Sequence, residues 1–83
     1  MAYVLALTEI AEERLRKLNK ELQKRFFKKI EKLKNTPECG KPLRNVLAGS
    51  RELYFERKYR ILYSIDNNQK LVKIESILHK DDF

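Results

Sequence analysis

The sequence predicts an α+β fold in the order β-α-α-β-β-β, a helical hairpin packed on one face of a mainly antiparallel sheet. Three observations predict it. Apolar residues recur at helical spacing through the first half of the chain and alternate at strand spacing through the second. The period changes at Gly40, just after Asn35-Thr36-Pro37. A polar run, Asp66-Asn67-Asn68-Gln69, then separates two alternating segments as a hairpin turn would.

The elements follow in order. Residues 2–7 (AYVLAL) read as a short buried strand. Thr8 is placed to cap a first helix, because its hydroxyl can accept an otherwise unpaired amide of the first turn. Glu9, Glu12 and Glu13 suit the positive end of that helix. Its apolar stripe is Ile10, Ala11, Leu15 and Leu18. Asn19 caps a second helix with the stripe Leu22, Phe26, Ile30 and Leu33, and Phe27 alongside. Two helices joined at Asn19 imply an antiparallel hairpin. Pro37 ends the second, since a residue before proline is pushed out of helical geometry.

Gly40-Lys41-Pro42-Leu43 and Ala48-Gly49-Ser50 punctuate a loop. Residues 52–57, 59–65 and 70–78 then alternate as strands. Side chains on a strand point to opposite faces in turn. Leu53 and Phe55 therefore share a face, as do Tyr59, Ile61, Tyr63 and Ile65, and as do Val72, Ile74, Ser76 and Leu78. These sets are expected on the helices, with Tyr59 and Tyr63 in the core. The second face then carries Tyr54, Arg60, Lys73 and His79. Eighty-three residues with 42% hydrophobic content fit one domain spanning 1–83.

Charge bounds the partners. The formal net charge is +7, which points to nucleic acid, an acidic protein or another anionic surface. The second helix concentrates it in Lys20, Lys24, Arg25, Lys28, Lys29, Lys32 and Lys34, a solvated face that also draws nucleic acid. No apolar run reaches the roughly 18 residues of a membrane helix, and no leader pattern opens the chain, so a cytoplasmic protein without a membrane partner is expected. One cysteine, Cys39, excludes an internal disulfide and reads as an inert loop thiol. One histidine and one cysteine do not make a zinc site, so neither metal nor cofactor is expected. No glycine-rich phosphate loop or nucleophile elbow is present, and Glu12-Glu13 and Asp81-Asp82 read as solvated charge.

What remains is cationic and aromatic. Arg60 lies mid-strand, with Arg44, Arg51, Arg57 and Lys58 nearby and His79 and Lys80 at the end of the next strand. The guanidinium fork suits a phosphate, and tyrosine rings give unpaired bases a surface to stack on. Cleavage of RNA by its own 2'-hydroxyl needs a proton acceptor, cations for the charge growing on phosphorus and a donor for the leaving oxygen. Arg60 fits the clamp and His79 the proton exchange near neutral pH, whereas a tyrosine with its ordinary pKa of about 10 is a poor base unless surrounding positive charge lowers it. Arg44, Arg51, Lys58 and Lys80 fit phosphate contacts. The competing expectation is structural: Arg60 pairs with Glu52 or Glu56 across the hairpin.

These residues resemble the RelE/ParE toxin superfamily, and its RelE branch in particular. The opening MAYVLALTEIAEERLRKL, the segment TPECGKPLR, the stretch GSRELYF, the strand KYRILYSID and the terminal SILHKDD correspond in order and spacing over nearly the whole chain. The resemblance implies a toxin of a type II toxin–antitoxin system, a ribosome-dependent endoribonuclease cutting messenger RNA in the A site. It implies a RelB-like antitoxin wrapped around the toxin in a hetero-oligomer; with a +7 toxin, that antitoxin is expected to be acidic and amphipathic. It gives Arg44 the role of a phosphate contact and Arg60 that of stabilising the transition state, with His79 or Lys80 as the C-terminal basic group. Face parity favours His79. The sequence departs from the family in two places. Glu52 and Tyr54 stand where two basic residues are common, and Phe83, which cannot exchange a proton, stands where a C-terminal catalytic tyrosine is common, so the chemical step is expected to rest on His79 or Tyr54. Two other functions compete: a ParE-like inhibitor of DNA gyrase, and a non-enzymatic basic RNA-binding module.

Overall fold

The structure, a computed structural model, describes residues 2–43 and 49–82. Strand β1 (Val4–Leu7) leads to helix α1 (Glu9–Arg16) and helix α2 (Lys20–Glu31). Both helix starts lie at the predicted caps. The Thr8 hydroxyl oxygen accepts from the Ala11 amide at 3.1 Å, and Asn19 Oδ1 accepts from the Leu22 amide at 2.8 Å. The Thr8 hydroxyl also donates to the Glu75 carbonyl at 2.8 Å, which ties the first helix to the last strand. After α2 the chain tightens into a 3-10 turn, Lys32–Lys34, and Pro37 opens another, Pro37–Cys39.

Four further strands follow: β2 (Lys41–Pro42), β3 (Ser50–Phe55), β4 (Tyr59–Asp66) and β5 (Leu71–His79). The sheet order is β1-β5-β4-β3-β2, with β1 parallel to β5 and the other pairs antiparallel. The predicted α+β architecture is thus found, with β2 as an addition. Two residues, one of them proline, leave little trace of a strand in sequence, and proline is tolerated at a sheet edge. The first strand is also less buried than expected. It lies at the other edge, and Val4 is 63% exposed.

The core forms where the apolar stripes meet the sheet. Ala11, Leu15, Phe26, Ile30 and Leu33 pack against Leu53, Phe55, Ile61, Tyr63, Val72 and Ile74. Phe26 and Phe55 meet edge to face with centroids 5.9 Å apart, a favourable aromatic geometry. Tyr63 is fully buried but not apolar at its tip. Its hydroxyl donates to the Pro37 carbonyl at 2.7 Å and accepts from the Gly40 amide at 2.8 Å. Burial pushes its phenol above the ordinary tyrosine pKa, and the Gly40 N–H only partly offsets this. A Cβ on Gly40 would run into that hydroxyl and lie 2.7 Å from the Glu52 carbonyl, so space rather than backbone angle requires glycine there.

One irregularity changes the assignment of faces. Leu62 pairs with Ser76 but Tyr63 pairs with Ile74, leaving Glu75 as an extra residue in β5. A bulge of this kind reverses alternation for every residue after it. Ile77 therefore follows Ile74 into the core, whereas Ser76 and Leu78 point away from the helices. His79 lies opposite Tyr59, on the helix side. The expectation that His79 shares a face with Arg60 is corrected by this bulge.

Candidate nucleic-acid interface

The face turned away from the helices follows from register, since directly paired residues share a side. Tyr54, Arg60 and Leu78 form one row across β3, β4 and β5, and Glu52, Leu62 and Ser76 form the next. Ser64 and Lys73 follow beyond the bulge, and the Ser64 hydroxyl donates to Glu75 Oε1 at 2.9 Å. Arg60 thus sits on the central strand, in the middle of this surface.

Its guanidinium is held on two sides. Arg60 Nη1 donates to Glu52 Oε2 at 3.1 Å. Its Cζ lies 5.2 Å from the centroid of the Tyr54 ring, within cation–π range. The Arg60 side chain keeps 35% of its exposure, whereas Glu52 keeps only 5%. The carboxylate is therefore supported mainly by the guanidinium, while the guanidinium still reaches solvent. Tyr54, 56% exposed, covers it with an open ring face. The structural alternative for Arg60, a pair with Glu52, is the arrangement found. The same geometry leaves a cation, an aromatic ring and a phenol hydroxyl together on one face.

The other candidate residues are distributed differently. His79 stacks edge to face on Tyr59 at 5.2 Å. Its Nδ1 accepts from the Asp81 amide at 3.2 Å and lies 3.3 Å from Asp81 Oδ2. With Tyr59, Arg14, Lys17 and Ile77 it lines a groove of about 580 Å³ beside α1, across the sheet from Arg60. Arg51 pairs in register with Tyr63, and its Nη1 donates to the Gly40 and Glu38 carbonyls at 2.8 and 3.2 Å. It clamps the segment after α2 on the helix side and does not join Arg60. Lys58 closes the β3–β4 turn, in which Glu56 and Arg57 adopt positive φ of 51° and 64°. The Lys80 amide donates to the Lys58 carbonyl at 2.6 Å, which brings Lys58 and Lys80 together at that end of the sheet. Arg44 lies outside the described residues, as does Phe83.

Sequence reasoning missed one tether. Arg25 of α2 donates to Glu56 Oε1 at 2.7 Å and also contacts Glu21 at 3.3 Å. The Glu56 hydrogen bond and charge raise the Arg25 pKa further above its already high value. This bond fixes the β3–β4 turn against the second helix. Only the opposite charges of Arg25 and Glu56 hinted at it, with nothing to show that the two would meet. Among the described residues, no three His, Cys, Asp or Glu side chains gather as a metal site would require. No helix among them is long and apolar enough to cross a membrane.

Comparison with known proteins then gives a consistent relation. The family model described as the ParE toxin of type II toxin–antitoxin systems, parDE, matches residues 5–82. Among solved structures, the RelBE2 toxin–antitoxin complex from Mycobacterium tuberculosis contains a chain 31% identical to this one. The match has a TM-score of 0.86 and covers 95% of this chain and 99% of that one. The isolated E. coli RelE toxin matches at 23% identity and TM-score 0.79, over 94% of this chain and 84% of that one. The archaeal RelE–RelB complex from Pyrococcus horikoshii matches at 19% identity and TM-score 0.66, over 96% and 97%. The last two speak to fold alone. No curated protein matches the sequence.

Proposed function

Since the chain belongs to the ParE toxin family of type II toxin–antitoxin systems, we propose that it is a toxin of the RelE kind that cleaves messenger RNA on the ribosome. The observation that carries this reading is the central, solvent-reaching guanidinium of Arg60, held between Glu52 and the exposed Tyr54 ring. The 31% identity with a RelBE2 chain supports the same branch.

In this mechanism the RNA phosphate approaches the outer face of the sheet. Arg60 neutralises charge that grows on the phosphoryl oxygens as the 2'-hydroxyl attacks. Tyr54 stacks on a neighbouring base and presents its hydroxyl for proton exchange on the same face. Lys58 and Lys80 attract the strand at the end of the sheet, and Arg44 contacts phosphate as the resemblance implies. Arg51, already bonded to two carbonyls, supports the fold around Gly40. His79 is assigned to the helix-side groove rather than to the reacting phosphate. The reaction takes place in the cytoplasm. An acidic, RelB-like antitoxin holds the toxin inactive in a hetero-oligomer, in keeping with the toxin–antitoxin complex that contains its 31%-identical relative.

A second reading has its own observation. Glu52 stands on Arg60 as an internal counter-ion, and the only histidine faces the other way. A toxin with this face closed to phosphate would act by binding alone, as an inhibitor of DNA gyrase or a basic RNA-binding module. Purified protein separates the three: it cuts ribosome-bound message, blocks supercoiling, or only binds RNA. The proposal requires the first, and inhibition of supercoiling without any cut in message rules it out.

A further inference from the structure

The basic residues of α2 are not spread evenly. Arg25, Lys28 and Lys29 of α2 and Lys32, which opens the 3-10 turn continuing it, stand at i, i+3, i+4 and i+7, so they share one side, with groups three or four residues apart about 5–6 Å from each other. That side flanks the core stripe of Phe26, Ile30 and Leu33 and turns toward β3. There two adjoining clefts open. One, of about 300 Å³, runs between this stripe and Phe55 with Glu56. The other, of about 620 Å³, continues from Lys29 past Arg57 to Tyr54. Tyr54 in turn overlies Arg60.

The charge in these clefts is unbalanced. Glu56, the one carboxylate lining them, is bonded to Arg25. Among the described residues no ion pair engages Lys28, Lys29, Lys32 or Arg57. A row of solvated cations leading to an exposed aromatic ring matches a single nucleic-acid strand, with phosphates on the cations and an unpaired base on the ring. An acidic protein segment would satisfy the charge but gives no reason for the row to end on an open ring beside Arg60.

We infer that the cleft between α2 and the edge of β3 is a binding track for single-stranded RNA, with Lys28, Lys29 and Lys32 on its phosphates and Tyr54 at its end. This deepens the RNA-directed reading and rests on it. The strand leaves Arg60, crosses Tyr54 and turns round the sheet edge onto α2. The track supplies affinity and direction, whereas the reacting phosphate stays at Arg60.

The test is fluorescence anisotropy of the whole protein with a labelled, uncleavable 2'-O-methyl RNA. Wild type is compared with Lys28→Gln/Lys29→Gln/Lys32→Gln and with a control of equal charge, Lys20→Gln/Lys34→Gln/Lys70→Gln. All the substituted side chains are exposed or half-exposed, and unchanged melting confirms the fold. The track triple should bind about tenfold more weakly near 50 mM salt, and its salt slope should fall by about 2, from three lost contacts at roughly 0.7 each. The control should stay within about twofold of wild type. A track triple that binds like wild type overturns the track and leaves RNA as the target. Equal losses in both triples overturn it too, because net charge alone then explains binding. RNA affinity kept while antitoxin capture is lost makes the cleft a protein-binding surface. Failure of the wild type to bind RNA removes the functional reading itself.

Discussion

Replacing Glu52 by Gln tests how Arg60 is held. The two side chains meet at 3.1 Å, with Glu52 5% and Arg60 35% exposed. At an effective dielectric of about 20, unit charges at this separation attract by about 5 kcal/mol. Solvent reaches the guanidinium, and desolvation of the carboxylate opposes the gain, so the net contribution is about 1–2 kcal/mol. The substitution preserves shape and a hydrogen-bond acceptor but removes the charge. The melting temperature should fall by roughly 5–15 °C for a domain of this size. Phosphate no longer competes with a carboxylate for Arg60, so RNA affinity should rise about tenfold, equivalent to 1.4 kcal/mol. Thermal denaturation followed by circular dichroism and anisotropy with an uncleavable RNA measure both changes. If RNA affinity falls instead, Glu52 aims Arg60 at its ligand and does not compete for it. If neither quantity moves, the contact contributes nothing.

Further changes probe the frame and the roles on each face. Tyr63→Phe leaves the Pro37 carbonyl and Gly40 amide without the hydroxyl that now bonds both; a loss of about 2–4 kcal/mol is expected in denaturant titration. The raised Tyr63 pKa means the folded state holds its proton more tightly than the unfolded chain. Its contribution is therefore complete below about pH 10 and declines as pH rises above that. A stability profile from pH 8 upward should show this decline in wild type and a shallower one in Tyr63→Phe. Gly40→Ala should destabilise by about 1–3 kcal/mol, because the methyl displaces either the Tyr63 hydroxyl or the β3 backbone. On the two faces, Tyr54→Phe should slow cleavage by about 100-fold while retaining RNA affinity, whereas His79→Ala should change the rate by less than about threefold. The reverse ranking in a single-turnover assay would return proton transfer to His79.

The sequence shows most of the fold because local chemistry and tertiary packing agree. Thr8 and Asn19 are good caps followed by clean apolar stripes, and Asp66 closes the last hairpin with its own carboxylate, which accepts from the Asn68 and Gln69 amides. The site is less legible, because one residue decides it. Glu75 looks like an ordinary outward position, yet as a bulge it moves His79 to the opposite face from Arg60. The trace left in sequence is the three-residue spacing of Ile74 and Ile77, which strict alternation does not allow. Arg51 is similar: its charge suggests phosphate, but only the folded chain brings the Gly40 and Glu38 carbonyls to it. Arg60 pairs in register with Tyr54, which leaves Glu52 and Glu56 as alternative diagonal partners in sequence, and the folded chain selects Glu52 because Glu56 is bonded to Arg25.

Primer extension on ribosome-bound message, comparing wild type with Arg60→Ala, bears most directly on the role of the outer face. Wild type should give discrete cuts. Arg60→Ala should lose at least about 100- to 1,000-fold in rate, as expected when a main donor to the transition state is removed, and should show an unchanged far-ultraviolet spectrum. Undiminished cutting by a folded Arg60→Ala variant would contradict this role.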